Sequence, residues 1–263
     1  MATHSNEKMI LRVRGIFYVS IFAQNMCCVV PYYRSIEGGS CNSVAPDCGR
    51  RSTLSMRDLT GFILSKLFLV YITAPNIVPS IRVEGEDDPS DATNSQDQRG
   101  WWFSRKSNYY DAADKTSVSD GFQESLAFLE MIFKEQGPFD GVVGFSQGAS
   151  FVSLLCSIGD QPDSPFQFDF AILIAGFKSL LSPHSKYYDE PITCPSLHVY
   201  GDTDKVIPKE SSVQLLKYFV NPQTLNHTGG HFVPASSPQK KVYLEFLQSF
   251  LDKKKEQTKG QQC

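Results

Sequence analysis

The stretch FDGVVGFSQGASFVSLLCSI, residues 139–158, decides the fold. Phe139 to Phe145 is a short apolar run rich in Val and Phe, the pattern of a strand buried on both faces. Ala149 to Ile158 is apolar as well and reads as a buried helix directly after it. Between them stands Gly144-Phe145-Ser146-Gln147-Gly148, a G-x-S-x-G pattern. A strand that passes straight into a helix must turn sharply, and glycine at both ends leaves room for the close backbone approach this demands. A serine on such a strained turn has its hydroxyl exposed at the end of the strand.

The same alternation extends in both directions. Upstream, LFLVYIT (67–73) is a β-branched and aromatic run ending before Pro75. Phe122, Leu126, Leu129 and Phe133 recur at helical spacing over 120–136, where Asp120 is placed to cap the start and Gln123 occupies the capping-box position. Gly137-Pro138 ends that helix. Downstream, FAILIAGF (170–177) and PSLHVYGD (195–202) are two more buried strands, SSVQLLKYF (211–219) a helix and QTLNHT (223–228) a last short strand. Tyr243, Phe246, Leu247, Phe250 and Leu251 share one face of a closing helix. Strands alternating with helices predict an α/β fold with a mostly parallel sheet covered on both faces. In such sheets, functional side chains gather beyond the carboxyl ends of the strands.

Composition narrows the class. The chain has 263 residues, 41% hydrophobic and 20% charged, with a formal net charge of −3. That content is too apolar for a disordered chain, and it lacks the basic excess of a nucleic-acid binder. No apolar run reaches the length of about 18 residues that a membrane span needs. Seven cysteines, an odd number, fit free thiols better than a disulfide framework. Four of them, Cys27, Cys28, Cys41 and Cys48, lie near the N-terminus without the C-x2-4-C spacing of a structural zinc site, so no metal is expected.

The first 59 residues differ from the rest. Lys8, Arg12 and Arg14 precede a short apolar run, Gly15 to Ala23, which reads as a strand with flanking charges rather than a secretory signal. Residues 34–60 are rich in Ser, Gly and Arg with no period and read as loop or poorly ordered chain. Residues 79–119 form a polar loop carrying EGEDD (84–88), a solvated run, and RGWWFS (99–104). The tail DKKKEQTKGQQC (252–263) is polar and expected to be solvated.

A serine hydroxyl becomes a competent nucleophile when a base accepts its proton and an acid orients that base. Ser146 is the candidate nucleophile. Of the downstream histidines, His198 lies inside a strand and His184 in an irregular segment, which leaves His227 and His231 at the end of the last strand. His231 is preferred because Gly229-Gly230 gives it a flexible turn back over the sheet. In the loop GDTDKVIP (201–208), Asp202 is placed to tie the turn while Asp204 lies further out, so Asp204 is the preferred acid. The backbone N–H of Gln147, at the start of a helix, is one expected oxyanion donor. LRVRGIFYVS (11–20) is strand-like, yet no glycine-rich turn follows it to supply a second.

These motifs resemble the FSH family of serine hydrolases, the group of the ovarian-cancer-associated gene 2 protein and its fungal relatives, within the α/β-hydrolase superfamily. The resemblance rests on TAPN (73–76), RGWWFS (99–104), GPFDGVVGFSQGAS (137–150), PSLHVYGDTDKVIP (195–208) and HTGGHFVP (227–234), and covers roughly residues 60–251. It implies an esterase on carboxylic esters whose triad falls on Ser146, Asp204 and His231. It also implies a first strand running into an L-x-G-[FY]-x-Q-[SN] loop, followed by a helix. Residues 1–59 carry no such loop, so the sequence predicts loss of that strand and of half the oxyanion hole.

The expectation is therefore an atypical, partly disordered segment 1–59, an α/β-hydrolase domain 60–251 and a polar tail 252–263. It is a cofactor-free serine esterase acting on a small-molecule, lipid-like acyl ester, with no nucleic-acid partner and no stable membrane span. The cytoplasm is the expected compartment, with the nucleus as a second; the sequence sets no oligomeric state. Two alternatives are a thioesterase on acyl-protein or acyl-carrier substrates, and a catalytically impaired binding protein lacking the oxyanion loop. Trp101 and Trp102 are expected either to wall an acyl pocket or to pin their loop to the core, and Phe177 to line the pocket. The segment 178–193, with Tyr187 and Tyr188, is expected to form a small cap.

Overall fold

The computed structural model describes the backbone of residues 16–20, and the chain over 69–78 and 99–260. In chain order the elements are β1 (Ile16–Ser20), β2 (Leu69–Thr73), the short β3 (Asn76–Ile77) and β4 (Arg99–Gly100), and α1 (Phe122–Gln136). Next come β5 (Gly141–Phe145), α2 (Gln147–Gly159), β6 (Phe170–Ile174), a 3-10 turn (Ser182–Tyr188) and β7 (Ser196–Gly201). The chain closes with α3 (Lys209–Leu216), β8 (Gln223–His227) and α4 (Ser237–Gly260). Six strands form one sheet in the order β2-β1-β5-β6-β7-β8, every pairing parallel. The fold is that of an α/β-hydrolase.

Alternation along β6 explains why such strands read as continuous apolar runs. Ala171 and Leu173 enter one core, with Leu129 and Phe133 of α1 and Phe151, Leu154 and Leu155 of α2. Phe170, Ile172 and Ile174 enter the opposite core, with Tyr243, Phe246, Leu247 and Phe250 of α4. Side chains alternate across a strand, so a sheet covered on both faces needs apolar residues at every position. Each fully buried Leu or Phe stabilises by roughly 1.5–3 kcal/mol. Neither core is dispensable.

Three expectations change. A first strand is present: Ile16–Ser20 sits between β2 and β5, so the strand expected to be lost is in the sheet, in parallel register with both neighbours. Asp120 does not cap α1; the N-cap position is Gly121, at φ 82°, and no side chain caps the helix. The Asp120 backbone is instead paired in both directions with Phe103, which fixes it away from capping geometry. Finally, α4 continues past Leu251 to Gly260. Lys, Glu and Gln are good helix formers, and Lys254 is held by Asp140 and Asp169 at the base of the sheet.

Among the described residues no helix is long and apolar enough to cross a membrane. Cys156 and Cys194 are buried free thiols. The four N-terminal cysteines, EGEDD and residues 21–60 lie outside the described residues.

Candidate active site

Parallel pairing brings the carboxyl ends of β5, β7 and β8 to one edge of the sheet, and the turns that follow them carry Ser146, Asp204 and His231. Ser146 has φ 55° and ψ −124°, a conformation costly for a residue with a Cβ. The strain is held by packing around it. A Cβ on Gly144 would lie 2.5 Å from the Gly148 carbonyl oxygen and 2.6 Å from Ala149 Cα, so the strand can meet the helix this closely only as glycine. The Ser146 N–H donates to the Ile174 carbonyl at 2.9 Å, tying the turn to β6.

His231 Nε2 lies 3.1 Å from Ser146 Oγ, and His231 Nδ1 lies 2.8 Å from Asp204 Oδ2. The other Asp204 oxygen accepts the backbone N–H groups of Val206 at 2.9 Å and Ile207 at 2.8 Å. Burial pushes the Asp204 carboxyl up, but His231 and those two N–H groups outweigh it and hold the group below its ordinary value. It is therefore a carboxylate at neutral pH and favours the proton on His231 Nδ1. That leaves Nε2 free to accept from Ser146. The Phe145 ring packs against the imidazole, with centroids 4.7 Å apart.

The competing residues have other places. Asp202 accepts from Lys209 Nζ at 2.5 Å and from Asn226 Nδ2 at 3.0 Å, which ties the loop to α3 and β8. His227 is buried and its Nδ1 accepts the Gly229 N–H at 3.2 Å, helping to shape the turn before His231. His198 faces Ser196 Oγ at 3.0 Å inside the core. His184 is fully buried between two hydroxyls, Ser119 Oγ at 2.6 Å and Ser179 Oγ at 2.7 Å, and the rings of Trp102 and Phe122.

Burial drives the pKa of His184 down to about 4 and that of His198 to about 3. Between pH 6.5 and 4 the unfolded chain binds protons that these folded histidines refuse, so stability falls as the pH drops through that window. Each histidine adds a slope on the order of 1.4 kcal/mol per pH unit. Urea titrations of His184→Asn between pH 7 and 4 should show a slope shallower by one such increment. An unchanged slope would remove His184 from the acid response.

Trp101, Trp102 and Phe177 all enter the core. Trp101 is fully buried and stacks on Phe151 at 4.6 Å; Trp102 meets Phe122 edge-on at 6.3 Å. Their loop is anchored by the side chain of Gln147, whose Oε1 accepts the Trp101 N–H at 3.0 Å and whose Nε2 donates to the Trp102 carbonyl at 2.8 Å. Asn76, the last residue of the TAPN motif, donates its amide to the carbonyls of Gly100 at 2.9 Å and Gly121 at 3.0 Å. Sequence reasoning named Gln147 only for its backbone and gave Asn76 no role, since both bonds close across distant segments. Gln147→Leu leaves one buried N–H and one buried C=O unpaired, at about 1–3 kcal/mol each. Chemical denaturation should register a total loss of about 2–6 kcal/mol; a loss below 1 kcal/mol would deny the anchor its weight.

Tyr110 was not singled out from the sequence. Burial raises its phenol to about 12, and the nearby Ser146 side chain offsets part of that rise. No period or motif marks this tyrosine in its loop.

Fold and site together place the chain among serine hydrolases built on the α/β-hydrolase fold. Residues 52–243 match the family model described as serine hydrolase (FSH1), and the chain belongs to that family. It is 46% identical over 208 residues to Esterase OVCA2 of Xenopus tropicalis, an alignment covering 77% of this chain and 90% of that protein. Identity to Esterase OVCA2 of Homo sapiens is 38% over 212 residues, covering 77% and 93%. Among solved structures, esterase PE8 shares the fold at a TM-score of 0.55 and 14% identity, covering 90% of this chain and 93% of that one. SOBER1 of Arabidopsis thaliana does so at 0.52 and 14%, covering 90% and 98%.

Proposed function

We propose that the chain hydrolyses carboxylic esters through an acyl-enzyme, with Ser146 as nucleophile, His231 as general base and acid, and Asp204 as the group that orients and stabilises the imidazolium. The single observation that carries this reading is the continuous hydrogen-bonded line from Asp204 Oδ2 through His231 to Ser146 Oγ, at 2.8 and 3.1 Å. The relatives named Esterase OVCA2, of Xenopus tropicalis, Danio rerio and Homo sapiens, support the ester as substrate class.

In acylation, Ser146 Oγ forms a bond to the ester carbonyl carbon while its proton passes to His231 Nε2. The carbonyl pair moves onto oxygen, where the Gln147 N–H in the first turn of α2 is placed to receive it. Collapse expels the alcohol, which takes the proton from His231. Water then attacks the acyl-enzyme by the same route in reverse. Residues 60–251 are the unit that does this. Trp101, Trp102 and Phe177, nearly sealed from solvent, serve as the wall behind the acyl site. The cytoplasm and nucleus are the proposed compartments.

A fluorophosphonate probe tests the reading. Labelling of the wild type and not of Ser146→Ala supports it; a folded wild type that fails to label makes the chain a binding protein instead. Nitrophenyl esters of increasing acyl length, run beside the matching thioesters, then decide the leaving group. Preference for the thioester would replace esterase by thioesterase.

A further inference from the structure

The two loops that bring Asp204 and His231 together are joined by a ladder of bonds. The Asp202 N–H donates to the His227 carbonyl at 2.7 Å and the Thr203 N–H to the Gly229 carbonyl at 3.2 Å. Thr203 Oγ1 donates to the Thr228 carbonyl, also at 3.2 Å. Gly201 packs flush against this junction: a Cβ there would collide with the Gly229 carbonyl oxygen and lie 2.9 Å from His227 Cε1. Within the histidine loop the Gly230 carbonyl takes the Phe232 N–H at 3.0 Å, and His227 Nδ1 takes the Gly229 N–H at 3.2 Å. The Phe232 ring covers the turn, its centroid 5.1 Å from that of His227, and a Cβ on Gly229 would collide with it. His231 thus leaves a turn whose backbone is bonded at every residue from 227 to 230, and one of those bonds ends on an imidazole.

We propose that His227 is a positioning residue for the hydrolysis: its neutral imidazole holds the turn that aims His231 at Ser146, and its protonation releases that turn. The inference rests on the reading of His231 as general base.

His227 Nδ1 accepts the Gly229 N–H only while it carries no proton itself, so the neutral ring holds its proton on Nε2. A second proton, on Nδ1, sets two donors against each other across 3.2 Å and leaves the Gly229 N–H without its acceptor. Gly229 and Gly230 resist a shift of the turn weakly, because neither has a Cβ to restrict its backbone. His231 is the next residue, and its Nε2 stands 3.1 Å from Ser146 Oγ. A displacement of about 1 Å in a reacting group costs on the order of 10²-fold in rate. The charged groups that act on the ring are Asp202 and Asp204, on the loop after β7, with Lys209 of α3 bound to Asp202. Burial lowers the pKa of His227 and outweighs the two carboxylates, which raise it. The neutral ring is therefore the resting form at neutral pH, and acid removes the bond.

His227→Phe keeps a ring against Phe232 and removes the acceptor. His227→Asn keeps an acceptor, since an Asn side-chain oxygen bonds the N–H two residues on, but it does not titrate. With a saturating nitrophenyl ester at neutral pH, kcat of His227→Phe should fall about 10–100-fold with KM nearly unchanged, and His227→Asn should recover most of that loss. The acid limb of kcat, read as initial rates after a jump from neutral pH, carries the second test. In the wild type it should fall more steeply than a single protonation allows, and in His227→Asn it should relax to a single protonation. A wild-type kcat in His227→Phe would overturn the proposal, as would acid limbs of wild type and His227→Asn that superimpose. Should His227→Phe fail to fold, the comparison of acid limbs decides by itself. Either overturning result beside an inactive Ser146→Ala leaves the triad reading intact; activity surviving in Ser146→Ala would end both.

Discussion

Replacing Ser146 by alanine is expected to reduce ester turnover by about 10⁶-fold, the scale on which removal of a triad nucleophile acts. Alanine retains the Cβ that the φ 55° turn already accommodates, and the packing of Gly144 against Gly148 and Ala149 is untouched. The variant should therefore unfold at nearly the wild-type denaturant midpoint. The lost oxygen is only 4% exposed as part of its residue, so no surface property changes with it. Residual hydrolysis should still exceed the rate in water by about 10³–10⁴-fold, because donors and binding surfaces remain. Turnover within tenfold of wild type would mean that another group attacks the ester.

Asp204→Asn should lower kcat about 10⁴-fold with KM little changed. The cause is a tautomer. In the native site one carboxylate oxygen holds two backbone N–H groups and the other faces His231 Nδ1. An amide whose oxygen keeps the backbone bonds turns its NH₂ toward His231 and favours an unprotonated Nδ1. The proton then sits on Nε2, which can no longer accept from Ser146. Combined with Ser146→Ala, the substitution should add almost nothing, since residues acting as one unit are strongly non-additive. Full additivity in steady-state kinetics would separate Asp204 from the nucleophile's activation.

Much of the architecture was legible because it is written locally. Burial on both sheet faces forces apolar residues at consecutive positions, so 139–145, 170–177 and 195–202 could be read as strands without any partner in view. The N-terminal strand was harder. Ile16–Ser20 looked strand-like, but its place between β2 and β5 depends on registers with Leu69–Thr73 and Gly141–Phe145 that no local pattern encodes. Asp120 shows the opposite error: a favourable local capping residue whose backbone is claimed by Phe103.

The sequence by itself determined the strand–helix alternation, the strained serine turn and the strand-end loops in which its partners had to lie. Each follows from a rule acting within a few residues: side-chain alternation, glycine's freedom, proline's limits. The tertiary structure alone decided which side chains meet. Ser146 and His231 are 85 residues apart and His231 and Asp204 are 27, and their distances exist only once the parallel strands are in register. The same holds for Gln147 and Asn76 as anchors. Their partners lie on segments distant in sequence, and a hydrogen bond across such a gap leaves no periodic trace in the chain.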